Sequence, residues 1–296
     1  ANDVNEVQKF AERFIETFPG IEVKHFEIQP GEAVEKIIAE ANAGKVTVDV
    51  LDSLMAYVPP LLERDLLQAH DYRELFDIEA IHFDNRMVGI YHLSVPIAYN
   101  TDQVKEEDVP KSWEDLLDPK WKGKKLIVES RGIAFPILAQ EWGEERVMEY
   151  LNQLLQQDPL VIKGGTPTMQ ALASGEGSIA LGTYAYKVDL NQKNGAPIEW
   201  AKVGPIPAMS YVAGVLKNAP HPNAAYLWTA WLASEEGLKV REEVTGAGML
   251  TDSDYITAIG KEMAEHNLQI IAESEETLEQ NARLQEEVGR IIGALQ

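Results

Sequence analysis

The sequence predicts an α/β protein built as two doubly wound lobes. Length is the first observation: 296 residues are too many for one small core and suit two lobes of about 100–200 residues each. The second is the opening order of helix, strand, helix, strand, which implies right-handed crossovers packed on a sheet. The third is a long β-rich run over 89–100 with no low-complexity tether or internal repeat elsewhere, so the lobes join through crossing strands.

Asp3 and Glu6 have capping-box spacing, and Val4, Val7, Phe10, Phe14 and Phe18 form an apolar helical stripe that Pro19-Gly20 stops. Residues 21–28 alternate as a strand. Gly31 opens a second helix with Val34, Ile37, Ile38 and Ala41 inward, closed by Gly44. Residues 46–51 are apolar enough for a buried parallel strand. The run 89–100 is broken by Pro96. Beyond a turn and short helix at 109–117, strands are expected at 126–129, 178–181 and 211–216. Helices are expected at 133–143, 144–156, 166–174, 184–193, 222–233 and 235–243. A last helix carries Leu278, Leu284, Val288, Ile291 and Ile292.

Acidic residues outnumber basic ones 48 to 26, a formal charge of −22. Nucleic-acid binding needs a strong Lys/Arg surface and is not expected; the acidity serves solubility, with a cation ligand or a basic docking partner as the alternatives. With no cysteine, disulfides, thiolate metal sites and cysteine nucleophiles are excluded. No apolar run approaches the roughly 18 residues of a membrane span, and no basic–apolar–small leader opens the chain. Ala1 is therefore expected to begin a cytosolic chain or a processed or trimmed one.

Six segments, in this order, resemble the bacterial solute-binding proteins of ABC-type importers, in the ferric-iron branch. They are VQKFAERFIETFPGIEV (7–23), GKVTVDVLDS (44–53), VPIAYNTDQV (95–104), PKSWEDLLDPKWKGK (110–124), ALASGEGSIALG (171–182) and GVLKNAPHPNAAYLWTAWLASEEG (214–237). The resemblance implies the type II periplasmic binding-protein fold, with ligand in a cleft between the lobes. It places lobe one at 1–95 plus 208–258 and lobe two at 96–207 plus 259–296. It implies a non-enzymatic monomer that closes on its ligand by hinge motion and docks on a membrane permease. Its location would be periplasmic or extracellular, secreted or lipid-anchored, with no cofactor beyond Fe(III) held as cargo. The family opens with a strand before its first helix, and this chain is expected to lack it.

Four clusters could line a ligand site. Tyr184 and Tyr186 follow a buried strand; the resemblance implies phenolate ligands for ferric iron, a hard ion suited to oxygen. Relatives have adjacent tyrosines, whereas Ala185 separates these, so both face one ligand only if the segment is still a turn. Otherwise one packs in the core and the other at the rim. Asp52 and Ser53 at the end of the 46–51 strand offer a carboxylate and a hydroxyl, or Ser53 caps the next helix. Arg131 beside a helix start can clamp an anion, or pair with Glu129 or Glu141 on the surface. Thr166 and Thr168, after Gly164-Gly165, can hold an anion or form a capped turn with Pro167 at the first helical position.

None of His25, His70, His82, His92, His221 and His266 has metal-ligand spacing. His92, in the crossover run, is the one to follow. The tryptophans fit core packing. A nucleophile elbow is absent, so an enzyme ranks last. Ferric iron, with or without an anion, is the first expectation for the ligand; an organic anion, phosphonate or phosphate ester is the alternative, and a thiamine-like cation held near Asp52 comes third.

Overall fold

The computed structural model describes residues 4–123 and 125–295, with side chains from residue 7 onward; the Asp3–Glu6 capping box lies outside them. In chain order the elements are α1 (Val4–Thr17), α2 (Pro30–Asn42), β1 (Val50–Leu54), α3 (Pro59–Glu63), β2 (Ile81–His82), β3 (Met87–Ser94), β4 (Ile97–Asn100), β5 (Leu126–Glu129), α4 (Ala134–Trp142), α5 (Glu144–Leu155), β6 (Leu160–Ile162), α6 (Gly165–Ser174), β7 (Ile179–Leu181), α7 (Ala185–Lys193), β8 (Ile198–Trp200), β9 (Ile206–Val215), α8 (Pro222–Ala233), α9 (Glu235–Thr245), α10 (Ala258–Glu265), β10 (Ile270–Ala272) and α11 (Leu278–Gly293). They form two compact units: Ala1–His92 with Ser210–Thr257, and Leu93–Met209 with Ala258–Gln296. The chain passes from one to the other within β3, within β9 and after Thr257.

In the first unit α1 buries Val7, Phe10, Ala11 and Phe14. The Phe14 ring meets Trp228 and Trp231 edge-on at 4.9 and 5.3 Å, a geometry worth about 0.5–1.5 kcal/mol per pair beyond burial. Arg241 on α9 is buried with its guanidinium over the Phe10 and Tyr91 rings, at 4.8 and 4.5 Å.

Two expectations fail in this unit. Residues 21–28 form no strand, and Phe26 is 67% exposed. Alternation makes a strand only where a ladder receives it, and no described strand pairs with this segment. The strand expected at 46–51 runs instead from Val50 to Leu54 and is antiparallel, not parallel. Its register on β9, from Val50↔Val215 to Leu54↔Tyr211, sets which five residues are extended.

His92, which ends the first segment of this unit, is buried in β3. Its backbone N–H donates to Gly248 O at 3.0 Å, and its Nδ1 accepts from Leu250 N at 3.1 Å. Burial pushes its pKa down to about 4, against the pull of Asp252, with His82 adding to the fall.

The second unit holds a sheet ordered β6-β5-β7-β4-β8. β5 is parallel to β6 and β7, while β4 is antiparallel to β7 and β8. Trp113 is buried against Trp142 and Tyr150, and its Nε1 donates to Pro205 O at 3.0 Å. α11 packs on α4 and α5 and buries Leu284, Val288 and Ile292. The sequence reading lacks β6, β8 and β10, each three residues long, because so few residues show no period. It also lacks α10. β9 begins at Ile206 rather than 211, its early residues paired in parallel with β10. Among the described residues no helix is long and apolar enough to cross a membrane.

His92 ties stability to pH. As pH falls, the unfolded chain takes a proton near 6.5, the ordinary value for histidine, while the folded imidazole resists until about 4. Stability should fall across that window by up to about 3 kcal/mol and level off below it. Urea unfolding at several pH values checks this; His92→Asn, which removes the titration, should show a shallower slope.

Candidate ligand site at the strand ends of the second unit

Three parallel strands end side by side, with Glu129 of β5 opposite Ile162 of β6, and Val128 opposite Leu181 of β7. Each end runs into a turn that starts a helix, where free backbone N–H groups favour anions. Ligands of open α/β sheets bind at such carboxyl ends.

The β5 turn carries Arg131. Its Nε donates to Glu129 Oε1 at 3.0 Å and its backbone N to Glu129 Oε2 at 3.1 Å. The Arg131 side chain is half exposed and the Glu129 side chain fully buried. The expected pairing of Arg131 with Glu129 is thus present. The β6 turn brings Gly164, whose N–H donates to Glu129 Oε1 at 2.9 Å.

α6 starts at Gly165, so Pro167 is its third residue rather than its first. Thr166 is exposed, and its hydroxyl accepts from Lys187 Nζ at 3.3 Å. Thr168 is buried, and its hydroxyl is used by Gly164 O at 2.9 Å.

The β7 turn carries Gly182, Thr183 and Tyr184. Gly182 has φ +104°, and a Cβ there would lie 2.3 Å from Glu129 Cβ. Only glycine lets β7 pass the buried carboxylate. A Cβ on Gly165 would meet Gly182 O at 3.0 Å and the Tyr184 ring at 3.3 Å, so this approach is also backbone-close. Thr183 is buried with no hydrogen-bond partner for Oγ1 among the described residues.

Tyr184 is the extended N-cap of α7, at φ −107° and ψ 134°. That extended residue meets the condition for two tyrosines to face together. The Tyr184 and Tyr186 rings are near parallel, 14° apart, with centroids at 6.3 Å. Lys187 Nζ sits 5.9 Å from each centroid. Burial raises the Tyr184 phenol; Arg131, hydrogen-bonded to it, pulls it down, Glu129 pushes it up, and the net shift is upward.

Arg131, Thr166, Tyr184 and Tyr186 therefore converge, whereas the Thr168 hydroxyl turns inward. Asp52 and Ser53 belong to the first unit, inside β1 rather than beyond a strand end. Ser53 caps nothing: it is buried with Oγ unpartnered among the described residues. Asp52 points to the other face and is solvent-accessible; desolvation by surrounding protein raises its carboxyl, and the Arg241 cation opposes that. Among the described residues no three His, Cys, Asp or Glu side chains converge for a metal ion.

Lys187 has no role in the sequence analysis, and Glu129 enters there only as a partner for Arg131. Lys187 lies in the first turn of α7, with its Nζ 5.9 Å from the ring centroid of the N-cap residue Tyr184. Glu129 ends an otherwise apolar strand, and a charge there signals a buried partner.

Residues 9–253 match the family model described as bacterial extracellular solute-binding protein. An uncharacterized protein of Haemophilus influenzae is 33% identical over 160 residues, spanning 50% of this chain and 45% of that relative's length. Iron-bound HitA of Pseudomonas aeruginosa aligns at TM-score 0.75 and 22% identity, over 99% of this chain and 97% of its own. The periplasmic binding protein AfuA of Actinobacillus pleuropneumoniae, with exogenous fructose-6-phosphate bound, aligns at TM-score 0.69 and 20% identity, over 99% and 95%. At these identities the two structures establish the fold.

Gly182→Ala should cost about 2–4 kcal/mol, because the new methyl clashes with Glu129 at a positive φ. A lowered urea midpoint measures it; an unchanged midpoint contradicts the close approach.

Proposed function

Because this chain belongs to the bacterial extracellular solute-binding protein family, we propose that it is the binding component of an ABC-type importer whose second unit holds an anionic small solute, a phosphate ester or organic carboxylate. The observation that carries the reading is the pair of cations, Arg131 and Lys187, flanking the stacked tyrosines. Thr166 and the starts of α6 and α7 add hydroxyl and amide donors. The role is transport rather than catalysis. A monomer in the periplasm or at the cell surface would close its lobes on the solute and present the closed form to a membrane permease.

Ferric iron with a companion anion is the second reading. It is favoured by the parallel Tyr184 and Tyr186 rings, since phenolate oxygens suit a hard cation. Against it, Lys187, the cation that Glu129 does not neutralise, would repel a bare metal ion. A thiamine-like cation meets the same repulsion.

Isothermal titration with a sugar carboxylate, a monoanion, beside a hexose phosphate, largely a dianion at about pH 7, tests the reading. Binding to the full chain should weaken about tenfold or more in Lys187→Met, as a charge-assisted contact is lost. Absence of phosphate-ester and carboxylate binding, with Fe(III) taken up and a tyrosinate charge-transfer band lost in Tyr184→Phe, would transfer the assignment to iron.

A further inference from the structure

Glu129 is a fully buried carboxylate that no ligand can reach directly, yet it is bonded to what an incoming anion would use. It accepts from Gly164 N, the amide just before α6, and from the backbone N and Nε of Arg131. Lys187, by contrast, meets a hydroxyl and two ring faces and has no carboxylate within ion-pair distance among the described residues.

We infer that Glu129 is a built-in anion that sets the charge selectivity of the site: it positions Arg131, cancels one of the two cations, and leaves the site suited to a singly charged head group. The inference rests on the anion reading above.

The physical argument is a local charge tally. With protonated tyrosines, Arg131 and Glu129 sum to zero and Lys187 contributes one positive charge. A monoanion balances that charge. A dianion leaves one negative charge beside the buried carboxylate, and in partly desolvated surroundings such a mismatch is felt strongly. Geometry supports a dedicated role. Glu129 ties the β5 turn to the β6 turn, and Gly182 keeps β7 clear of its side chain.

The test compares sulfate with methyl sulfate, matched tetrahedral anions of charge two and one, by isothermal titration against the full chain. The wild type should bind methyl sulfate at least as tightly as sulfate. Glu129→Gln keeps the shape and removes the charge, so the affinity ratio should move toward sulfate by about tenfold. A folded Glu129→Gln with the wild-type ratio would overturn the inference. If that single variant does not fold, the double variant Glu129→Gln with Arg131→Gln restores the tally of the wild type. Its ratio should then match the wild type, and a ratio displaced toward either anion would count against Glu129. Wild type that binds neither anion would remove the anion reading itself, and the inference with it. Intact binding with an unmoved ratio removes only the role of Glu129.

Discussion

The second unit is organised around one buried carboxylate. Three parallel strands end together, and their turns would repel one another's partial positive charges if nothing sat between them. Glu129 sits there, accepting from the β5 and β6 turns while Gly182 lets β7 pass alongside. A buried carboxylate is costly unless fully hydrogen-bonded. Its donors are therefore fixed in place, and they include the side chain that faces the proposed ligand. Positions of Arg131, the start of α6 and the Tyr184 turn are thus consequences of one desolvated charge.

Electrostatics at two scales point in opposite directions. The whole chain carries −22, which would repel an anion from afar. At physiological ionic strength that field is screened within about 8 Å. Contact range then decides, and there the site presents Arg131 and Lys187. Tyrosine rings add apolar walls that lower the local dielectric and strengthen those contacts.

Much of this was legible in the sequence, for identifiable reasons. Long amphipathic helices such as α1 and α11 declare themselves by period, and the strand ends carrying Arg131 and Tyr184 follow clear apolar runs. Residues 21–28 and the true span of β1 were not legible, because a strand exists only with its ladder partner. That register lies some 160 residues away, on β9. Asp52 and Ser53 lost their expected place at a strand end for the same reason. Glu129 was visible only as a partner for Arg131, since nothing local shows that its side chain is wholly buried. The parallel stack of Tyr184 and Tyr186 depended on one residue: an extended Tyr184, outside the helix, reverses the divergence that an i, i+2 helical spacing imposes.

The central claim is that the site holds an anionic solute rather than a metal ion. Native mass spectrometry of the protein as isolated, beside elemental analysis, tests it most directly. The account predicts a metal-free protein that retains a small organic anion, released on denaturation. Stoichiometric iron with a tyrosinate charge-transfer band would contradict it.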